Sequence, residues 1–128
     1  LACHRGKERV AFGKPLVNLG GNRERIAQAR IAIDATRLLV LNAAWKLDKY
    51  GPAGALSEVS QIKVAAPRMA QEVIDFAMQI HGGGGMSDDF PLAAAWTHAR
   101  ALRLADGPDE VHLGVVAKLE LAKQRLHR

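Results

Sequence analysis

Between residues 23 and about 50, apolar side chains recur every three to four positions without a proline or glycine to interrupt them. One stripe runs Ile26, Ala29, Ile33, Val40, Ala44, Leu47, and a second runs Ala27, Ile31, Ala35, Leu38, Leu41, Trp45. Both follow the 3.6-residue helical period, so this segment is a long helix with a wide apolar face. A helix apolar over so much of its girth is expected to be buried on two sides. Arg30, Asp34 and Arg37 share one polar track at helical spacing, which suits a local ion-pair ladder. Gly51 and Pro52 close the helix.

The rest of the chain follows the same period. "LACHRGKERVAFGKPL" reads as the end of a helix, stopped at Gly13 and Pro15 and beginning without a cap, as if part of a longer chain. Ser57 is placed to cap a helix that runs to about His81, with Val59, Ile62, Ala66, Met69, Val73, Ala77 and Ile80 on its apolar face. Pro67 falls inside it and predicts a kink or break, because it leaves the Lys63 carbonyl without its N–H partner. Asp88, Asp89 and Pro91 start a further helix, "PLAAAWTHARALRLA". In "DGPDEV", Asp106 or Gly107 can cap and Pro108 suits a first turn, with Asp109 and Glu110 complementing the positive helix end. The last helix carries Val111, Val115, Leu119, Ala122 and Leu126 and ends on the basic "KQRLHR". No alternating strand pattern competes. The fold predicted is all-α: the end of one helix, then four helices in an antiparallel four-helix bundle.

The 128 residues suit one domain, and the core must be aliphatic, since only 5% of residues are aromatic. No run approaches the roughly 20 apolar residues of a transmembrane segment. The formal charge is +5, but the basic residues are dispersed and rarely flanked by aromatics, which argues against nucleic-acid binding. Cys3 is the single cysteine, so no intrachain disulfide forms, and the histidines are too scattered for a metal set.

Three places hint at a site. Four consecutive glycines, Gly82 to Gly85, stand between two helices, where one would suffice as a C-terminal cap. Arg9 and Phe12 lie one turn apart. Asp106 reads as a helix cap or as a working carboxylate.

Together these places resemble the C-terminal domain of the acyl-CoA dehydrogenases over the whole chain, residues 1–128. The family's R-x-x-F-G-x-P-L is matched by Arg9, Phe12, Gly13, Pro15 and Leu16. Its Q-x-x-G-G-x-G is matched by Gln79, Gly82, Gly83 and Gly85, and its carboxylate-glycine pair by Asp106 and Gly107. The resemblance implies an FAD enzyme that oxidises an acyl-CoA to the 2-enoyl-CoA. A carboxylate removes the α-proton while a hydride leaves the β-carbon for the flavin N5. It implies Asp106 as catalytic base and Gly107 beside the thioester. It implies Arg9 on the flavin diphosphate, Phe12 near the flavin, and Gln79, Gly82, Gly83 and Glu110 as further cofactor contacts, reaching the flavin of a neighbouring subunit. Gly85 would make the tight turn out of the run, and Gly84 would have no special task.

The implied partners are an acyl-CoA substrate, electron-transfer flavoprotein or a similar acceptor, and copies of the chain in a homodimer or homotetramer. The implied location is the bacterial cytoplasm or the mitochondrial matrix. The family's N-terminal helical domain and middle β-domain are absent from this chain, which alone is expected to be inactive. The other reading is a non-catalytic helical oligomerisation module of the same superfamily. Departures from the pattern are aspartate where most relatives have glutamate, a side chain shorter by about 1.5 Å, and Gly20 where many have glutamine. Some relatives carry the base on an earlier helix. The Asp-Gly-Pro-Asp-Glu form resembles a subgroup that includes multidomain members.

Overall fold

The computed structural model describes residues 1–125; Leu126, His127 and the last arginine of the basic end lie outside the described residues. The order is α1 (Ala2–Glu8), a two-stranded ladder β1 (Val10–Ala11) and β2 (Lys14–Pro15), then α2 (Asn22–Gly54), α3 (Leu56–His81), α4 (Leu92–Ala101) and α5 (Asp109–Arg125). The all-α bundle is as expected, with α3 at its centre against α1, α2, α4 and α5.

The small ladder was not expected. Val10 pairs with Pro15 and Ala11 with Lys14, and the chain reverses through Phe12 (φ 51°) and Gly13 (φ 75°). Two consecutive positive φ values match the right-handed twist of a tight hairpin. A two-residue strand is too short to leave an alternating signature in sequence.

Gly51 breaks α2 as expected, at φ 73° and ψ −179°, and one further helical turn follows through Pro52. The inward line of α2 differs from the first predicted stripe. It passes Ile26, Ala29 and Ile33, then Leu39 and the buried Ala43, so Val40, Ala44 and Leu47 face out. The second stripe is exposed throughout, so among the described residues the helix is not buried on two sides: of the other long helices, α3 packs along it. Arg30 and Asp34 pair at 3.2 Å on the polar track.

Ser57 does not cap α3. The helix already begins at Leu56 behind Ala55, and the Ser57 hydroxyl accepts from Gln61 Nε2 at 3.1 Å. Pro67 does not end the helix either, since α3 runs on to His81 with the proline ring buried. Helices on several sides bury positions off the predicted face, including Glu58 and Ser60. Glu58 meets Lys46 of α2, and that hydrogen bond holds its carboxyl below the usual range against the opposing effect of burial. Helix α4 stops at Ala101, four residues short of the expected end, and tight turns carry the chain to Gly107.

Candidate functional site

Two regions collect the predicted residues. The first is a cavity of about 580 Å³ where α1, the start of α2 and the end of α3 meet. Arg9, Gln79, Gly82 and Gly83 all line it, as their motif pairing implied. Arg5, Asn22, Arg25 and His81 also line it and were not foreseen. Arg5 stands one helical turn before Arg9, which was the available signal. Arg25 and His81 carried none, because only the tertiary packing brings their helix ends together.

Among the described residues the lining holds three arginines and no carboxylate. Arg5 Nε is buried without a hydrogen-bond partner, an arrangement that costs about 1–3 kcal/mol unless an acceptor arrives. Arg25 lies over the Phe76 ring, 5.3 Å from its centroid. His81 is buried, donates from Nδ1 to the Ala77 carbonyl at 2.7 Å and stands edge-on to Phe90. Three guanidinium groups around an open cleft, one with an unused buried donor, fit a polyanion such as a dinucleotide diphosphate.

The glycines divide by geometry. Gly82 ends α3 at φ 62°. A Cβ built on Gly83 meets nothing within 4 Å, so its backbone stays open to a ligand. A Cβ on Gly85 would stand 2.5 Å from the Met78 carbonyl oxygen. Gly85 therefore allows close packing on α3, and its φ is not positive; it does not make the tight turn. The Gly84 carbonyl accepts from the Ser87 amide at 3.1 Å and hydroxyl at 2.8 Å, bonds that do not require glycine.

Phe12 and Glu110 do not line this cavity. Phe12 is 96% exposed on its hairpin turn, and Glu110 is exposed in the first turn of α5. Gly20 is left-handed at φ 52°, a reason for glycine rather than glutamine there.

The second region is the turn from α4 to α5. Asp106 (φ 53°) and Gly107 (φ 99°) are both left-handed. Neither caps α5, which begins at Asp109. The Asp106 side chain is exposed and ion-paired to nothing among the described residues, while its carbonyl accepts from His112 Nε2 at 3.1 Å. Among the described residues, the non-glycine residues with positive φ are Phe12 and Asp106. Strained backbone of this kind persists where the surrounding structure enforces it, and it clusters at functional sites.

Asp109, read from sequence as a helix-end charge, is buried. Its Oδ2 accepts from Arg103 Nε at 2.9 Å and Arg68 Nε at 3.1 Å, and Arg103 also donates to Gln71 at 2.8 Å. Burial pushes its pKa up, but the hydrogen bonds from Arg103 and Arg68 outweigh that, so the carboxyl lies below its ordinary value.

The family model described as "Acyl-CoA dehydrogenase, C-terminal domain" matches residues 1–121. Acyl-CoA dehydrogenase family member 11 of Homo sapiens is 48% identical over 124 residues, 97% of this chain and 16% of that protein. A Mycobacterium abscessus structure, solved as a candidate acyl-CoA dehydrogenase, superposes with a TM-score of 0.94 at 78% identity, over 96% of this chain and 30% of that one. Butyryl-CoA dehydrogenase of Megasphaera elsdenii superposes at 0.86 and 32% identity, over 94% of this chain and 31% of that one. The chain thus spans about a sixth to a third of the length of these relatives.

Proposed function

The chain belongs to the acyl-CoA dehydrogenase C-terminal domain family, and from that premise we propose that it supplies the base and part of the FAD site for α,β-dehydrogenation of an acyl-CoA thioester. The observation that carries this reading is Asp106, an exposed carboxylate on left-handed backbone with no ion-pair partner among the described residues. Its carboxylate oxygen takes the proton from the thioester α-carbon. Gly107 would stand beside the thioester, and its left-handed φ of 99° together with a Cβ position 3.1 Å from His112 Nε2 keeps this place for glycine. FAD, when bound, supplies the acceptor for the hydride that leaves the β-carbon.

Arg5, Arg9 and Arg25 would hold the diphosphate, with the Gln79 side chain and the backbone of Gly82 and Gly83 against the dinucleotide. Phe12 and Glu110 would contact cofactor from outside that cavity; the strained, solvent-facing Phe12 supports a role toward a group outside this chain. The Asp-Gly-Pro-Asp-Glu sequence supports membership of a subgroup carrying aspartate as base. The N-terminal helical and middle β-domains of the full protein complete the acyl and flavin pockets, and residues 1–128 alone do not turn over substrate. Electron-transfer flavoprotein or a similar acceptor reoxidises the enzyme, in a bacterial cytoplasm or the mitochondrial matrix. No helix of the described residues is long and apolar enough to cross a membrane.

Gly83→Val in the full-length protein tests the cofactor half. Because a Cβ at this position meets nothing within 4 Å among the described residues, the apoprotein should melt as the wild type does. FAD affinity should fall at least about tenfold, or about 1.4 kcal/mol; unchanged affinity returns the glycine corner to a plain loop.

One observation favours the second reading, a helical oligomerisation module. Ile31, Leu38, Leu41 and Trp45 form a continuous exposed apolar stripe on α2. Both roles can coexist in a homodimer or homotetramer. Leu38→Glu with Leu41→Glu should shift the full-length protein to smaller species in sedimentation velocity. Assembly unchanged by this pair would remove α2 from the interface, and a fully active Asp106→Asn enzyme would leave the module as the better reading.

A further inference from the structure

We propose that Lys63 is a positioning residue that holds the Asp106 turn in its left-handed form. The inference rests on the reading of Asp106 as base. Residues 102–107 leave α4 and must place two successive left-handed residues before α5 begins. Aspartate and glycine tolerate left-handed backbone, but tolerance alone does not hold the chain there. The Lys63 ammonium, reaching across from α3, donates to the Leu102 carbonyl at 2.6 Å and to the Gly107 carbonyl at 3.3 Å. One group thus ties both ends of the turn to the central helix.

Other supports act on parts of the turn, and Arg103 within it donates to Asp109 at 2.9 Å and to Gln71 of α3 at 2.8 Å, without touching the backbone on either side of Asp106. The Leu102 side chain lines an apolar cleft with Ile62, Ala66 and Pro67. The Asp109 amide bonds the Arg103 carbonyl at 3.0 Å, and His112 reaches the Asp106 carbonyl. Asp109 anchors the start of α5 to α3 through Arg68 and to the start of the turn through Arg103, leaving the carbonyls of Leu102 and Gly107 to Lys63. Without Lys63, the Leu102 and Gly107 carbonyls lose their common donor and the carboxylate between them is free to wander. A displacement of about 1 Å at a reacting group can cost on the order of 100-fold in rate.

The test uses the full-length, FAD-loaded enzyme and whichever of butyryl-, octanoyl- or palmitoyl-CoA the wild type turns over fastest. Lys63→Met keeps the stem and removes the donors. Amides of residues 103–107 should exchange hydrogen at least about tenfold faster. The rate constant kcat should fall about 10- to 100-fold while KM stays within about twofold. Lys63→Arg, which restores charged donors, should recover most of kcat. Lys63→Gln serves in place of the methionine variant should that one not fold. Wild-type exchange in the turn, or a change confined to KM, overturns the proposal. Asp106→Asn measured in parallel separates the two ideas: if it turns over normally the base assignment fails, and the exchange rates still decide whether Lys63 holds the turn.

Discussion

Replacing Asp106 with asparagine in the full-length enzyme should lower kcat by about 10²- to 10⁴-fold, the usual contribution of a positioned general base. The substitution is unusually clean here. Asparagine matches aspartate in size and tolerates left-handed backbone as well as any residue except glycine, so the φ of 53° at this position is retained. What disappears is the ability of the carboxylate to accept a proton. Asp106 does not line the arginine cavity, so FAD content should match the wild type. Turnover and flavin absorbance measured on the same preparation check both statements. An asparagine variant that keeps more than about a tenth of wild-type kcat would move the base to another residue.

The largest effect on stability is expected at Asp109. It is buried, and its Oδ2 satisfies Arg68 and Arg103 at once. Asp109→Ala leaves two guanidinium groups facing each other without their anion. Breaking a buried pair typically costs about 3–5 kcal/mol; the Arg68 side chain is 44% exposed, which places the loss near about 3 kcal/mol in chemical denaturation. The same contact gives a pH signature. The folded carboxyl lies below the ordinary aspartate value of 3.8, so its stabilisation is present above about pH 4 and is lost as pH falls through the folded value. The wild type should therefore lose more stability than Asp109→Ala on acidification below about pH 4. Parallel slopes for the two proteins would show that the ion triad contributes nothing measurable.

Much of this was legible in the chain itself, and for local reasons. The 3.6-residue recurrence from Ile26 to Leu47 specified a long helix. Gly51 and the glycine run marked helix ends because those points need backbone that other residues avoid. The pairing of Arg9 with Gln79, Gly82 and Gly83 followed from motif resemblance, and the cavity brings those four together. Other expectations failed where a distant contact overruled a local preference. Ser57 is a good capping residue, yet α3 starts one residue earlier. Pro67 reads as a break, yet packing buries it within an unbroken helix. Gly85 reads as a turn former, yet its role is to bring residue 85 against the Met78 carbonyl.

The sequence by itself determined which segments are helical and where α2 and α3 stop, because periodicity, proline and glycine act over a few residues at a time. Only the tertiary structure decided which charges share a space. Arg5 and Arg25 join Arg9 because α1, α2 and α3 converge there. Asp109 becomes a buried partner of Arg68 rather than a helix-end charge, and Lys63 spans 39 and 44 residues to reach the Asp106 turn. Separations of that length carry no periodic signal, since the energy resides in contacts that exist only once the helices have packed.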